Sequence, residues 1–401
     1  MRQLKSLLLV SAGVLCAASV THAAPPAPVD LGVLPGGTWS FAVSMNDRGQ
    51  IAGQGDGPGR AGRYLPVLWH HGHIRELPLL PGDANSNVHS INNRGDVIGW
   101  TGSAAIVCPA NTMLFFITLT CNYGLTSGLP QFGVIWHHGT VKEFLPPPSS
   151  TNTLWAGNAF GINDEGDIAF VSGRVTPTCS SFACVNLTRR ATVLADDAVT
   201  ELPYLPTALY SVPHAISSNG AVVGYSGINA LATSPRHAAL WAGGKVTDLG
   251  VFPGGTNSEA WWMNRKGQIV GYSTGKTAAG VVYTHAALWN HGVLMDLGTL
   301  PGGTASTAFG INNRRQIVGY SNTVAGGNVH AVLWQCGQII DLGTLPGGDA
   351  ARANAINEGG QISGGSNGTN ADGTKFMEHA VLWNLRDDDQ ECDEGDEGHD
   401  D

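Results

Sequence analysis

The chain of 401 residues carries a formal net charge of −10, which is concentrated at its C-terminal end. Residues 387–401 hold ten acidic side chains and no Lys or Arg. Without this segment and without the two cations near the start, the remaining body has a charge of about −2. The body also has no Lys/Arg cluster, which argues against a nucleic-acid-binding protein. The 55 glycines and only 13% charged residues indicate many tight turns between short strands.

The first 23 residues have the layout of a secretory signal peptide. Arg2 and Lys5 provide a positive start, residues 7–20 form an apolar run, and a small-residue exit ends at Ala23. We expect cleavage after Ala23 and a secreted or periplasmic mature protein. The alternative, a retained anchor, is disfavoured because the run is shorter than the ~20 residues that span a bilayer. No later stretch is predicted to cross a membrane.

Three anchor positions each recur seven times from residue 29 onward, which indicates a repeat protein. The Trp-type anchor falls at Trp69, Trp136, Leu194, Trp241, Trp289, Trp334 and Trp383. The acidic anchor falls at Asp30, Glu76, Glu143, Glu201, Asp248, Asp296 and Asp341. The Met/Ile anchor falls at Met45, Ile91, Ile162, Ile216, Met263, Ile311 and Ile356.

The spacing of these anchors predicts a packed unit with a single tolerant loop. The Trp-type anchor precedes the acidic one by 7 positions in all six measurable cases, and the acidic anchor precedes the Met/Ile anchor by 15 in six of seven and by 19 in the third. The last interval, from Met/Ile to the next Trp-type anchor, varies from 23 to 45. Two connections are therefore constant while one accepts insertions.

Each unit contains four short runs with β-type alternation, as in residues 293–297 and 316–321, separated by Asn- and Gly-rich turns. Two hairpins per unit predict a four-stranded antiparallel sheet. The chain opens on a second strand, at 29–34, and closes on a lone first strand, at 379–384. Pairing these two would complete a seventh sheet, so we predict an all-β, seven-bladed β-propeller closed by its N- and C-terminal strands, over 24–386. A β-solenoid or another blade count is the alternative.

The repeats resemble the bacterial HAF-type extracellular repeat family. The similarity rests on HAALW at 237–241 and 285–289, HAVLW at 330–334 and 379–383, and DLGTLPGG at 296–303 and 341–348. It covers nearly all of residues 29–384. The departures are Ala or Val in place of the family Phe and the loss of His from the first three Trp strands. The resemblance implies an exported repeat protein without an assigned activity.

Recurring polar side chains favour structural roles over chemistry. His237, His285, His330 and His379 occupy one position in four successive units, too far apart to share a metal ion, so we expect them to bond a neighbouring turn or blade. The acidic anchors are expected to bond backbone amides near the Leu-Pro-Gly-Gly loop. No catalytic motif occurs, and the sequence indicates no catalytic residue, no metal and no cofactor.

Two insertions, 101–132 and 172–190, are the main functional lead, because both are predicted to emerge on one face. Each carries a cysteine pair for which local disulfides are the simplest prediction, Cys108 with Cys121 and Cys179 with Cys184; Cys336 and Cys392 then either pair or stay free. Nearby aromatic residues predict a recognition patch: Phe115, Phe116, Tyr123, Phe132, Trp155 and Phe182. The alternative is that residues 113–120 pack on the blade or add an edge strand.

We therefore expect an exported scaffold that binds an extracellular protein or glycan through this face and is not an enzyme. The alternative function is a propeller hydrolase or lyase that acts on extracellular glycans at an axial site. An axial pocket with converging carboxylates and histidines would favour catalysis. Residues 387–401 are expected to stay disordered, with weak cation binding as the alternative to a solubility role. The sequence indicates no oligomeric state.

Overall fold

The computed structural model describes residues 26–58, 63–102, 132–145, 154–174, 189–228, 235–324 and 326–385. These ranges form 28 strands in seven four-stranded antiparallel sheets, which confirms the predicted seven-bladed β-propeller. Strand β1 (Val29–Asp30) pairs with β28 (Lys375–Asn384), so the two chain ends close the ring as expected. No helix in the described ranges has the length and apolar character needed to cross a membrane.

The first two strands of each blade lie nearest the axis. The innermost strands, blades 1 to 7 in order, are β2 (Ser40–Met45), β6 (Asn85–Ile91), β10 (Leu154–Ile162), β14 (Tyr210–Ile216), β18 (Ser258–Met263), β22 (Ser306–Ile311) and β26 (Ala351–Ile356). The second strands are β3 (Ile51–Gly55), β7 (Val97–Gly102), β11 (Ile168–Arg174), β15 (Val222–Gly227), β19 (Ile269–Lys276), β23 (Ile317–Asn322) and β27 (Gln361–Thr369).

The outer half of each blade carries the other two anchors. The third strands are β4 (Leu65–His70), β8 (Phe132–His137), β12 (Arg190–Ala195), β16 (Arg236–Ala242), β20 (Val282–Asn290), β24 (Val329–Gln335) and β28. The outermost strands are β5 (His73–Glu76), β9 (Thr140–Glu143), β13 (Ala198–Glu201), β17 (Lys245–Asp248), β21 (Val293–Asp296), β25 (Gln338–Asp341) and, in blade 7, β1.

The structural blade and the sequence repeat begin at different strands. The sequence repeat begins at the Trp strand, whereas in the blade the strand with the Met/Ile anchor is innermost and the Trp strand is third. The reason is that the Leu-Pro-Gly-Gly loop passes from the outermost strand of one blade to the innermost strand of the next. Leu194 stands opposite Ile168 as Trp241 stands opposite Val222, so Leu194 does occupy the Trp-type position.

The hydrophobic core lies between neighbouring blades. One cluster joins Leu65 and Val67 of blade 1 to Ala380 of blade 7, so the closing interface is packed like the others. The six Trp anchors are all buried, and four of their indole N–H groups donate to carbonyls of the preceding blade-to-blade loop, as from Trp241 to Pro203 O at 2.7 Å. Burying each such ring contributes about 3 kcal/mol.

A ring of asparagines ties the blades together around the axis. The turn after each innermost strand begins with Asn46, Asn92, Asn163, Ser217, Asn264, Asn312 or Asn357. The side-chain amide of Asn46 donates to Asn92 O at 2.9 Å, and the same bond repeats from each asparagine to the next blade, ending with Asn357 to Asn46 O at 3.2 Å. Ser217 holds the position in blade 4, and no equivalent bond leaves it among the described residues.

Successive antiparallel strands place the connections on two faces. The face that holds these asparagine turns and the turns between the third and fourth strands is the turn face. The opposite loop face holds the Leu-Pro-Gly-Gly loops and the variable connections. Strands β7 and β11 end on the loop face, and β8 and β12 begin there, which agrees with the predicted common side of both insertions.

Candidate functional site: an axial chamber

Every innermost strand contains an extra residue that is turned toward the axis. In blade 1, Ala42 stands opposite Gly53 and Ser44 opposite Ala52, so Val43 has no partner in the register. The same one-residue β-bulge occurs in all seven blades. We call these seven residues the bulge ring: Val43, His89, Phe160, His214, Trp261, Phe309 and Asn354. A bulge redirects a side chain out of the sheet pattern, which is how the ring comes to face the axis.

The repeated glycine of the second strand makes room for the bulge. In blade 5, a Cβ on Gly271 would lie 1.9 Å from Glu259 O on the innermost strand. Glycines stand at this position in six blades, and blade 3 has Phe170 instead. There β10 has a second register shift, between Ala156 and Ala159, within the blade that carries the longer spacing of 19. The glycine is thus needed because of close backbone approach.

The bulge ring lines a chamber on the axis with a volume of about 230 Å³. Five consecutive members are aromatic or imidazole rings, which we call the aromatic belt: His89, Phe160, His214, Trp261 and Phe309. Neighbouring ring centroids in the belt are 4.7, 5.8, 4.0 and 5.5 Å apart. Separations of this size are those of interacting aromatic pairs. The belt is therefore a continuous ring surface that spans blades 2 to 6.

His214 is fixed in the aromatic belt by a stacking contact and a hydrogen bond. Its ring lies parallel to Trp261 at 8°, and its Nδ1 is 2.9 Å from Ala260 O of the next blade. Because a carbonyl can only accept, Nδ1 carries the proton. Burial lowers the pKa of His214 to about 3, despite the opposing effect of that carbonyl. His214 is therefore a neutral, fixed ring at physiological pH.

Two polar atoms of the belt are buried without a hydrogen-bond partner among the described residues: Nε2 of His89 and the indole nitrogen of Trp261. Both residues line the chamber. Burial also lowers the pKa of His89 to about 4, so this ring too is neutral. Buried polar atoms normally have partners, and unsatisfied ones call for an explanation such as a ligand or ordered water.

Charged groups next to the chamber are arranged differently in two blades. In blade 5, Glu259 accepts a hydrogen bond from the Tyr272 hydroxyl at 2.9 Å and forms an ion pair with Arg236. Arg236 also donates to that hydroxyl at 3.1 Å. Burial acts to lower the pKa of Arg236, but the Glu259 carboxylate outweighs it and raises the pKa. The charges of Glu259 and Arg236 are thus paired with each other.

In blade 7 an arginine itself lines the chamber. Arg352 is buried, and its guanidinium lies 4.3 Å from the centroid of the Tyr320 ring. Behind it, Gly365 leaves space for Glu378: a Cβ on Gly365 would be 2.5 Å from a carboxyl oxygen of Glu378. Burial raises the pKa of Glu378 to about 8, against the effect of Arg352. Burial also lowers the pKa of Arg352 to about 10, against the effects of Tyr320 and Glu378.

A second cavity of about 150 Å³ lies toward the turn face, and it shares Met45, Trp262 and Ile356 with the chamber. Its lining includes the asparagine turns together with Asp47, Asp164 and Glu358. Within the described ranges, no three or more His, Cys, Asp or Glu side chains are grouped so that they could hold a metal ion.

The recurring histidines lie at the rim of the propeller, away from the axial chamber. Nδ1 of His237 is 2.8 Å from Asp248, and the equivalent pairs are His285 with Asp296, His330 with Asp341 and His379 with Asp30. Each of these aspartates also accepts from the glycine amide two residues on, as Asp248 does from Gly250 at 2.8 Å. The predicted structural role of both residue types is confirmed in these four blades, with the histidine bonded to its own blade.

The predicted aromatic patch falls largely outside the described residues, which exclude Phe115, Phe116, Tyr123 and Phe182. Phe132 begins β8, opposite Thr101, and Trp155 lies in β10, opposite Gly173. The cysteines of the two predicted local disulfides, Cys108, Cys121, Cys179 and Cys184, also lie outside them. Cys336, in the turn between β24 and β25, is disulfide-bonded.

The bulge ring was not predicted from the sequence, although a signal for it exists. Each member stands two positions before the Met/Ile anchor, and the residue type there varies from blade to blade among Val, His, Phe, Trp and Asn. In a repeat protein, a variable residue at a fixed register within an otherwise regular strand is a position that the scaffold does not determine. Such positions are candidates for function.

No protein-family model and no curated protein sequence matches the chain. Among solved structures it is similar to a puromycin hydrolase, with 12% identity, a TM-score of 0.53, and coverage of 86% of this chain and 53% of that one. A puromycin-hydrolyzing peptidase of Mycobacterium tuberculosis matches at 12% identity and TM-score 0.48, over 86% of this chain and 52% of its own.

The β-propeller domain of the Trilobed protease from Pyrococcus furiosus matches at 9% identity and TM-score 0.49, over 88% of this chain and 97% of that domain. This chain spans about half the length of the two puromycin-cleaving enzymes. At such identities the likeness concerns the fold alone.

Proposed function

We propose that this protein is a binding β-propeller that holds a small molecule with a flat, apolar ring in the axial chamber. The observation that carries the proposal is the aromatic belt, whose five rings are in contact around a cavity of about 230 Å³. Ligand sites are concave, mostly apolar and aromatic, with a few polar groups that orient the ligand. The chamber combines these properties.

Two buried nitrogens give the chamber its orienting groups. The indole N–H of Trp261 can donate to a ligand, and Nε2 of His89 can donate or accept according to its tautomer. Because both rings are held in the belt by their neighbours, these atoms are preorganised, which lowers the entropic cost of binding. The site thus favours a planar ring that carries at least one polar substituent.

The arrangement supports recognition better than catalysis. The described lining of the chamber contains two histidines but no carboxylate, and Glu259 beside it is engaged by Arg236 and Tyr272. A histidine that acts as general base or acid needs a pKa near the working pH and usually a group that orients it. The pKa values of His89 and His214, about 4 and about 3, are far below that range.

Titration calorimetry of the purified protein with indole, a neutral aromatic probe, tests the proposal. Phe309→Leu removes one ring of the belt and should weaken indole binding about ten-fold, since the loss of a stacked ring costs about 1–1.5 kcal/mol. The matched control is Phe376→Leu, because Phe376 stacks on His379 at the rim, with centroids 3.8 Å apart. That variant should bind indole like the wild type. An equal loss in both variants, or no indole binding to the wild type, would refute the axial site.

The wider setting of this function is also a proposal. We infer export through the leader at 1–23 and membership of the HAF-type extracellular repeat family, supported by the motif pattern over residues 29–384. Binding of an extracellular protein or glycan at the loop face is a second candidate function. It is favoured because the strands that flank both insertions meet them on this one face. Deleting residues 103–130 should abolish pull-down of such a partner and leave indole binding intact.

A further inference from the structure

We propose that the ligand of the axial chamber carries a cyclic amide edge, with an N–H and a C=O side by side on a flat ring, and that the side-chain amides of Gln54 and Asn87 recognise this edge. The inference rests on the proposed function and adds to it the class of the ligand's polar group. It follows from the wall of the chamber where blades 1 and 2 meet.

Two buried amides from neighbouring blades are in contact at this wall. Gln54 lies on the second strand of blade 1, and Asn87 lies on the innermost strand of blade 2. Both line the chamber, and their exposed fractions are only 3% and 6%. The amide nitrogen of Gln54 donates to the amide oxygen of Asn87, which holds the two side chains together across the boundary between the blades. We call these two residues the amide pair.

The amide pair uses only part of its hydrogen-bonding capacity. Each amide has an oxygen that accepts and a nitrogen that donates. The bond within the pair engages the oxygen of Asn87 and one N–H of Gln54, and neither side chain has another hydrogen-bond partner among the described residues. The oxygen of Gln54 is therefore left as an acceptor and the nitrogen of Asn87 as a donor. If both amides were turned over, the acceptor and the donor would only exchange residues.

A third polar atom lies two residues after Asn87 on the same strand. Nε2 of His89 is buried without a hydrogen-bond partner among the described residues, and His89 also lines the chamber. Its ring belongs to the aromatic belt, with a centroid 4.7 Å from that of Phe160. Blade 2 therefore brings a stacking surface and polar groups to the same wall. Unsatisfied buried polar groups are costly in free energy, and a ligand with matching groups removes that cost.

Blade 5 has a different arrangement at the register of Asn87. Glu259 stands four positions before the Met/Ile anchor of its strand, as Asn87 does in blade 2. Its carboxylate accepts from the Tyr272 hydroxyl at 2.9 Å and is paired with Arg236, and neither Glu259 nor Arg236 lines the chamber. The amide pair, in contrast, is uncharged, lines the chamber and retains a donor and an acceptor. It therefore selects a ligand by the pattern of its hydrogen bonds.

A cyclic amide matches the free groups of the amide pair. Its N–H and C=O lie in the plane of the ring and point to the same side, so its edge can donate to one side chain and accept from the other while its face packs on the aromatic belt. Asparagine and glutamine recognise the donor–acceptor edge of adenine in the same manner. A ring with one polar atom would leave either the donor or the acceptor unpaired. The ligand is thus a flat, neutral lactam.

Calorimetry with oxindole and N-methyloxindole tests the inference, because methylation removes the N–H donor and keeps the ring and the carbonyl. Wild-type protein should bind oxindole at least about ten-fold more tightly, which corresponds to about 1.4 kcal/mol. Gln54→Met combined with Asn87→Leu replaces both amides with apolar groups of similar shape, a change that is nearly neutral for stability. This double variant should lose the preference and bind N-methyloxindole within about two-fold of wild type, which reports an intact chamber.

The matched control is Asn384→Leu. Asn384 accepts from the amide nitrogen of Gln361 at 3.1 Å, a pair of the same type, but neither residue lines the chamber. This variant should keep the preference for oxindole. Asn87→Ala changes a single residue and should reduce the preference in the same direction as the double substitution, so it replaces the double variant if the latter does not fold.

The outcomes separate this inference from the proposed function. If wild-type protein binds the two probes equally, or if the preference survives the loss of both amides, the role of the amide pair is wrong while the axial site, measured with indole, stands. If Asn384→Leu loses the preference as the double variant does, the effect is structural and the assignment is also wrong. If neither oxindole nor indole binds to the wild type, the proposed function itself fails.

Discussion

Histidine side chains occur both at the rim and at the axis of this propeller, but in opposite electrostatic environments. At the rim, His237 is half-exposed and bonded to Asp248, and that bond, aided by the aspartate charge, raises the pKa of the histidine against burial. At the axis, burial without a carboxylate partner lowers the pKa of His89 to about 4. The rim pair recurs in four blades, whereas the bulge ring has His in two blades, Phe in two, and Val, Trp or Asn in one each.

Recurring and varying residues of a repeat protein therefore have different origins. A residue that recurs at one register makes the same contact in each blade that has it, as the rim histidine does in four blades and the glycine opposite the bulge does in six. A residue that differs from blade to blade at a fixed register is not tied to such a shared contact. In this chain the bulge ring is such a register, and it is also the lining of the chamber.

The axis and the rim should differ most in how much a histidine substitution lowers the free energy of unfolding. His214→Ala removes a buried ring that stacks on Trp261 and bonds Ala260 O, so it should lower the free energy of unfolding by about 3 kcal/mol. His237→Ala breaks a partly exposed pair and should cost no more than about 1 kcal/mol. Urea unfolding of both variants measures the difference. Similar losses would show that the axial ring is no better packed than the rim.

A smaller effect concerns pH, and its sign differs between the regions. The pKa of His89 is lower in the folded state than in the unfolded chain, so its contribution to stability is present above about pH 6.5 and is lost as the pH falls toward 4. The pKa of His237 is raised, so its contribution is present below about pH 6.5 and is lost as the pH rises through the folded value.

His89→Leu and His237→Leu should therefore change the pH profile in opposite directions. Between pH 6.5 and 4, His89→Leu should remove up to about 1.4 kcal/mol per pH unit from the slope of stability against pH. His237→Leu should lose stability mainly at acid pH. The difference between each variant and wild type, from urea unfolding at several pH values, isolates the histidine from the carboxylates. A shift of the same sign in both would contradict the assignment of their environments.

The ring architecture could be predicted from the sequence because each blade repeats the same hairpins at the same spacing. Constant spacings between anchors correspond to hairpins with defined registers, and the unmatched strands at Asp30 and Trp383 correspond to the pairing of β1 with β28. The strand at which each blade begins could not be predicted in this way. Spacing alone does not show which of the two connections of constant length stays within a sheet and which one crosses to the next sheet.

The axial site escaped prediction for a related reason. A one-residue bulge leaves the spacing of the anchors unchanged because every blade contains it, so spacing alone does not distinguish Val43 and its equivalents from ordinary strand residues. The rim histidines attracted attention because they recur, but recurrence marked scaffold contacts. Contacts such as those of Arg352 with Tyr320 or of Glu378 with Gly365 join different strands, so no local pattern reveals them.

The smallest expected effect lies within the rim itself. His330 and His379 make the same bond, at 2.7 and 2.8 Å, but Asp341 is connected to His330 by a short turn, whereas Asp30 comes from the other end of the chain. Strand β1 has only two residues, so few backbone hydrogen bonds hold the closing strand, and we expect the side-chain bond to contribute more there than in the other blades. Holding two distant chain segments together has an entropic cost that a local hairpin does not have.

His379→Ala should therefore destabilise the protein by about 1 kcal/mol and His330→Ala by about half as much. Hydrogen exchange at the amide of Leu31, which donates to Ala380 O at 2.9 Å, should speed up in His379→Ala and stay unchanged in His330→Ala. Equal exchange in both variants would mean that packing of Leu34 and its neighbours between blades 1 and 7 closes the ring without help from the rim pair. The rim pair of blade 7 would then be equivalent to the pairs of blades 4 to 6, although it joins the two ends of the propeller.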